Sequence, residues 1–95
     1  MTETTADDPL AVRRRKLKFR CWHRGMREMD LIMGRFADAF IDRMAPAELD
    51  DLERLMEVPD PELLAWVSGQ GAPPDTDVSP MLQRLRAFHL APRGN

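Results

Sequence analysis

The sequence has little from which to build a metal or redox centre: one cysteine, Cys21, and two histidines, His23 and His89, in 95 residues. A lone cysteine forbids an internal disulfide and suits a reducing compartment. Two histidines and one thiol fall short of a four-ligand zinc site unless carboxylates join them, and Cys21-x-His23 is not the spacing of two ligands on one helix face. No apolar run approaches the roughly 18 residues of a membrane span. The start, Met1 to Asp8, is acidic and lacks both an apolar stretch and arginine, so it matches neither a secretory signal nor a transit peptide. A cytoplasmic chain is the expectation. Gly69 and Gly71 run into Pro73 and Pro74, which carry no amide N–H, so no phosphate-cradling loop is formed there. Nor does any grouping of Ser, His, Asp, Cys or paired carboxylates have the spacing of a catalytic constellation, and the chain is expected not to be an enzyme.

What is present is helical. Alternating runs of β-branched and aromatic residues are missing, whereas Leu, Met, Ala, Glu and Arg recur at spacings of three and four. The pattern predicts an all-α fold, a compact five-helix bundle over residues 9–90, flanked by flexible tails 1–8 and 91–95. Asp8 before Pro9 caps a first helix that runs to His23 and stops near Gly25. The second begins near Met26 and ends near Ala45, with Met29, Ile32, Met33, Phe36, Phe40 and Met44 as its apolar stripe. Pro46 and Glu48 open the third, with Leu49, Leu52, Leu55 and Met56 inward, and Pro59 ends it. Asp60 before Pro61 caps a fourth, containing Leu63, Leu64, Trp66 and Val67 and closed by Gly69. Gly69 to Asp77 reads as a loop. The last helix begins between Thr76 and Pro80 and carries Val78, Met81, Leu82, Leu85 and Phe88, with His89 complementing the dipole of its final turn.

The charge is polarised although the net charge is only -2. Ten basic and seven acidic residues precede Glu48, and four basic and nine acidic follow from it. Between Pro9 and Arg27 stand Arg13, Arg14, Arg15, Lys16, Lys18, Arg20, Arg24 and Arg27 with no acid among them. On a helical wheel Leu10, Leu17 and Cys21 share one face, while Val12 and Phe19 point nearly opposite, with Trp22 between. Three readings of this helix stay open: a solvated basic face, an Arg-rimmed apolar strip suited to a protein interface, or a phosphate-tracking helix. The last is weakened because Arg13 to His23 contains no Asn, Gln or Ser to read a base edge. No nucleic acid partner is expected.

The junction of the first two helices reads Arg24-Gly25-Met26-Arg27-Glu28. Glycine there allows a sharp turn or a close backbone approach. Glu28 falls in the first turn of the second helix, where the dipole favours a carboxylate, and would pair with Arg24 if one helix ran through. Glu28, Leu31, Arg35, Asp38 and Asp42 form a row facing away from the apolar stripe, a row able to meet a partner.

Arg24-Gly25-x-x-Glu28, then Asp30 and Met33-x-x-Phe36, then Asp60-Pro61-Glu62-Leu63 leading to Trp66 and Gly71-x-Pro73, resembles the SdhE-type family of flavinylation factors of succinate dehydrogenase. The likeness covers residues 14–88. One departure is His23, where members carry Arg or Lys, so the charge at that position is open. The resemblance implies an assembly factor that binds the flavoprotein subunit of succinate dehydrogenase, with fumarate reductase as a further candidate client. It would promote covalent attachment of FAD to that subunit, holding no cofactor itself. It implies a partner-binding surface at Arg24, Gly25, Met26, Arg27, Glu28, Asp30 and Leu31; independently of it, no membrane insertion and a monomeric state are expected. A regulatory, antitoxin-like binding module is the alternative, and a flavin-binding enzyme has least support.

Overall fold

The computed structural model describes residues 8–70 and 79–91; within them all regular structure is helical. Residues 1–7 and 92–95 of the expected tails, the Gly71-x-Pro73 stretch and Val78 lie outside those residues. Five α-helices follow in order: α1 Pro9–Trp22, α2 Arg27–Phe40, α3 Pro46–Met56, α4 Asp60–Val67 and α5 Ser79–Leu90. No helix among the described residues is long and apolar enough to cross a membrane.

Proline and cap chemistry set most boundaries. Asp8 Oδ1 accepts from the Leu10 N–H at 3.0 Å, with Pro9 in the first turn. At α3, Glu48 reaches back to accept the Ala45 N–H at 2.8 Å, the reciprocal half of a capping box. That bond, aided by Arg84, holds the Glu48 carboxyl below the usual carboxylate range. α4 ends on Gly69 at φ 82°, where the Gln70 and Gly69 N–H groups bond back to the Ala65 and Trp66 carbonyls at 2.7 and 3.1 Å.

Two boundaries differ from expectation. α2 stops at Phe40 and tightens into a 3₁₀ turn, Ile41–Arg43, before Met44 turns extended ahead of Pro46. The tighter turn brings Ile41 and Met44 both into the core, and the residue before the chain's next helix is held out of the α region near proline. Asp60, expected to cap α4, is instead its first helical residue, preceded by Pro59 as N-cap. Its carboxylate is taken by another partner, described below.

α1 and α2 pack along each other; α3 lies against α1 and α5; α5 closes the bundle over α2 and α4. The core contains Leu17 and Cys21 of α1, Met29, Met33 and Phe36 of α2, then Ile41, Met44, Leu49, Leu52, Leu55, Met56, Leu63, Val67, Met81, Leu82 and Leu85. Phe36, Phe40 and Phe88 meet edge-on or tilted at 5.0 to 5.9 Å between α2 and α5. Ile32, Phe40 and Trp66 are only half-buried, at the margin of this core.

The contact between α1 and α2 depends on Gly34, a residue without special status in the periodic pattern. A Cβ there would overlap the indole ring of Trp22. The missing side chain lets the ring lie on the α2 backbone, where Nε1 donates to Asp38 at 3.2 Å. Ion pairs finish the assembly, with Arg13 to Asp50 and Glu53 at 2.6 and 2.8 Å, Lys18 to Asp42 at 2.9 Å and Arg84 to Glu48 at 2.9 Å.

Candidate functional site: the α1–α2 corner

The chain leaves α1 through His23 and enters α2 at Arg27, with Gly25 at φ 103° making the reversal. A Cβ on Gly25 would meet nothing within 4 Å, so glycine is required by backbone conformation and not by space. Asp30 closes the turn from inside α2. Its Oδ1 accepts the Arg24 N–H at 2.6 Å and the Gly25 N–H at 3.2 Å.

Arg24 does not project outward. Its side chain is 10% exposed and runs beneath the corner to Asp60, itself 15% exposed, with two guanidinium nitrogens 2.6 Å from Oδ1. The remaining donors reach the Met56 and Val58 carbonyls at 2.8 and 2.9 Å, where α3 ends. A fork of five fixed donors fits this cluster of one carboxylate and two carbonyls, and the cation also complements the negative end of α3. The helical pairing with Glu28 considered from spacing does not form, because the break at Gly25 takes Arg24 to the opposite side.

The seven residues marked by the motif therefore divide. Arg24 and Asp30 are engaged within the fold, and Met26 packs at the edge of the core. Gly25, Arg27 and Glu28 are exposed, and Leu31 is half-buried. Glu28 makes no hydrogen bond or ion pair among the described residues. Farther along the outward row, Asp38 and Asp42 are occupied by Trp22 and Lys18, so the row open to a partner shortens to Glu28, Leu31 and Arg35.

These three border a groove of about 260 Å³ whose other walls are Ile32, Leu64 of α4, Ser68 and His89. Leu31, Ile32 and Leu64 give it an apolar floor, with Glu28, Arg35 and His89 at the rim. Ser68 and His89 had no functional signal in the sequence, since they join the groove only when α4 and α5 dock on α2. On the other side of the corner, Cys21 is fully buried against the Met56 sulfur at 3.8 Å, and burial pushes its thiol up to about 12, against the pull of Arg24 and Arg20. That is a packing thiol, not a nucleophile.

The chain matches the family model described as Sdh5, flavinator of succinate dehydrogenase, over residues 15–89. It is 48% identical over 80 residues to a protein named FAD assembly factor SdhE of Acetobacter pasteurianus, covering 84% of this chain and 73% of that one. A protein of the same name from Vibrio cholerae is 32% identical over 81 residues, 85% of this chain and 93% of that one. Succinate dehydrogenase assembly factor 2, mitochondrial, of Dictyostelium discoideum is 33% identical over 73 residues, 74% of this chain and 52% of that one. No solved structure matches. With a family model spanning the whole bundle and relatives matched over most of their length, the chain belongs to the Sdh5 family of succinate dehydrogenase flavinators.

Proposed function

We propose that this chain is an assembly factor that docks on the flavoprotein subunit of succinate dehydrogenase through the α1–α2 corner and the adjoining groove, and so promotes covalent attachment of FAD to that subunit. The observation that carries the reading is the state of Glu28: exposed, unpaired and standing beside an apolar groove, on a turn fixed from below by Arg24 and Asp30. An unpaired carboxylate on a rigid corner supplies a directional contact for a cationic or N–H-bearing group of a client, and Leu31 with Leu64 supplies apolar area beside it.

The bond itself would form between atoms of the client and its flavin: a client histidine N–H and one C–H of the flavin 8α-methyl would be broken, and the two protons and two electrons would pass to the flavin ring, which ends reduced. This chain would hold the client so that those two groups stay close, a proximity effect. FAD stays with the client, the chain contributes no reacting atom, and cytoplasmic maturation of the client is the setting. In a strain lacking this protein, the flavoprotein subunit on a denaturing gel should show little flavin fluorescence. Wild type should restore it and Glu28→Ala should not; undiminished fluorescence in the deleted strain would refute the proposal.

A further inference from the structure

We infer that the outer face of α1 is a second docking strip, taking an acidic segment of the same flavoprotein client with an apolar side chain at its centre. The inference rests on the function proposed above and extends it to a surface outside the motif.

Opposite the Leu17 and Cys21 face of α1 stands Phe19, 63% exposed. Its ring stacks on His23 at 4.0 Å between centroids and 22° between planes, with His23 Nδ1 held 2.8 Å from the Phe19 carbonyl. Single exposed apolar residues are common and carry nothing alone. The disposition of the neighbouring cations does. Of the basic residues of α1 and the corner, Arg13, Lys18 and Arg24 have carboxylate partners within 3 Å and Arg14 donates to the Met44 carbonyl. Arg15, Lys16 and Arg27 have no partner among the described residues, and Arg20, 53% exposed, comes only within 3.9 Å of Glu53.

Arg15 and Lys16, without carboxylate partners, flank Phe19 on the helix wheel, and Arg20 lies beyond Lys16 with only its long contact to Glu53. Lys16 and Arg20 are four residues apart, so the isolated chain bears a like-charge repulsion that an acidic partner would remove. An aromatic anchor rimmed by arginine has the make-up of an interface centre. Beside the strip a depression of about 310 Å³, lined by Phe19, Arg20, His23, Arg24 and Met56, extends to the Arg24 side of the corner. The phosphates of a duplex would satisfy the cations but leave Phe19 without a role, since its bases are already stacked on one another.

The test uses the full chain and the purified flavoprotein subunit, with binding measured by calorimetry at low and at high salt. Phe19→Ala should weaken binding by about tenfold, as for a central anchor. The double variant Arg15→Glu, Lys16→Glu should weaken it by a similar factor at low salt and less at high salt, with wild-type melting temperatures throughout. Glu28→Ala serves as the reference. If Glu28→Ala loses affinity while both strip variants bind within twofold of wild type, the second strip is refuted and the proposed function stands. If wild type does not bind the subunit, both fall. Retention on duplex DNA that the double variant abolishes, with subunit affinity untouched, overturns the strip in favour of phosphate binding.

Discussion

Replacing Arg24 by alanine tests whether the motif arginine acts through the fold. The substitution removes two contacts to Asp60 and one each to the Met56 and Val58 carbonyls. Asp60 is left without its cation, 15% exposed, beside the carbonyl end of α3. Removing one partner of a fully buried pair costs about 3–5 kcal/mol, and the water that reaches this margin lowers the figure to about 2–4 kcal/mol. Against a total of about 5–15 kcal/mol for a domain, the variant still folds but is much weakened. At roughly 4–8 °C per kcal/mol, a loss of about 3 kcal/mol lowers the melting temperature by roughly 12–24 °C. Asp60→Asn, which keeps an acceptor for the guanidinium, should lose less. The assay pairs a thermal melt with client flavinylation at two temperatures: Arg24→Ala should regain activity in the cold as the folded fraction recovers. A melt within about 2 °C of wild type together with abolished flavinylation would refute this and make Arg24 a direct contact.

Glu28→Ala should show the converse. An exposed first-turn carboxylate contributes about 0.3–1 kcal/mol, so urea unfolding should barely change while flavinylation falls at every temperature. Gly34→Ala gains about 1 kcal/mol of helix preference but forces Trp22 off the α2 backbone, an overpacking of about 1–3 kcal/mol plus the Asp38 bond. Chemical denaturation should show a net loss that becomes a gain in a Trp22→Ala background, where the overlap is gone. Gly25→Ala meets no atoms, so its penalty is the strain of φ 103°, about 1–3 kcal/mol, with no change expected in the unfolding slope. For Cys21, the raised native value means the folded chain keeps the thiol protonated after the unfolded chain begins to ionise. Its contribution to stability is complete below about 9 and declines as pH rises towards about 12. Alkylation at pH 8 should be slow in native protein and fast in urea.

The helices were legible because their evidence is local: spacings of three and four, prolines one residue inside helix starts, a glycine at the end of α4. So was the outward placement of Glu28, which follows from its phase against Met29, Met33 and Phe36. The direction of Arg24 was not, since its acceptors are 32 to 36 residues downstream and no periodicity links them. Asp60 misled for the same reason: Asp before Pro has the look of a cap, yet a long-range guanidinium claims the carboxylate. Gly34 left a faint signal, an unexplained glycine inside a helix pattern, but its meaning depends on an indole from α1. The groove beside Glu28 could not be read at all from one segment, because Leu64 and Ser68 come from α4 and its end, and His89 from α5, each far along the chain from Glu28.

The fastening of Arg24 beneath the corner bears on how portable the motif is. A pentapeptide copied from Arg24 to Glu28 into the loop of another protein would arrive without the helix end that receives the guanidinium, without Asp60, and without the Asp30 carboxylate that gathers the two amides. The backbone that carries its glutamate would then sample many placements where here the turn fixes one. A graft that aims to reproduce the proposed docking needs the third and fourth helices along with the loop, so the smallest transferable unit is close to the whole bundle.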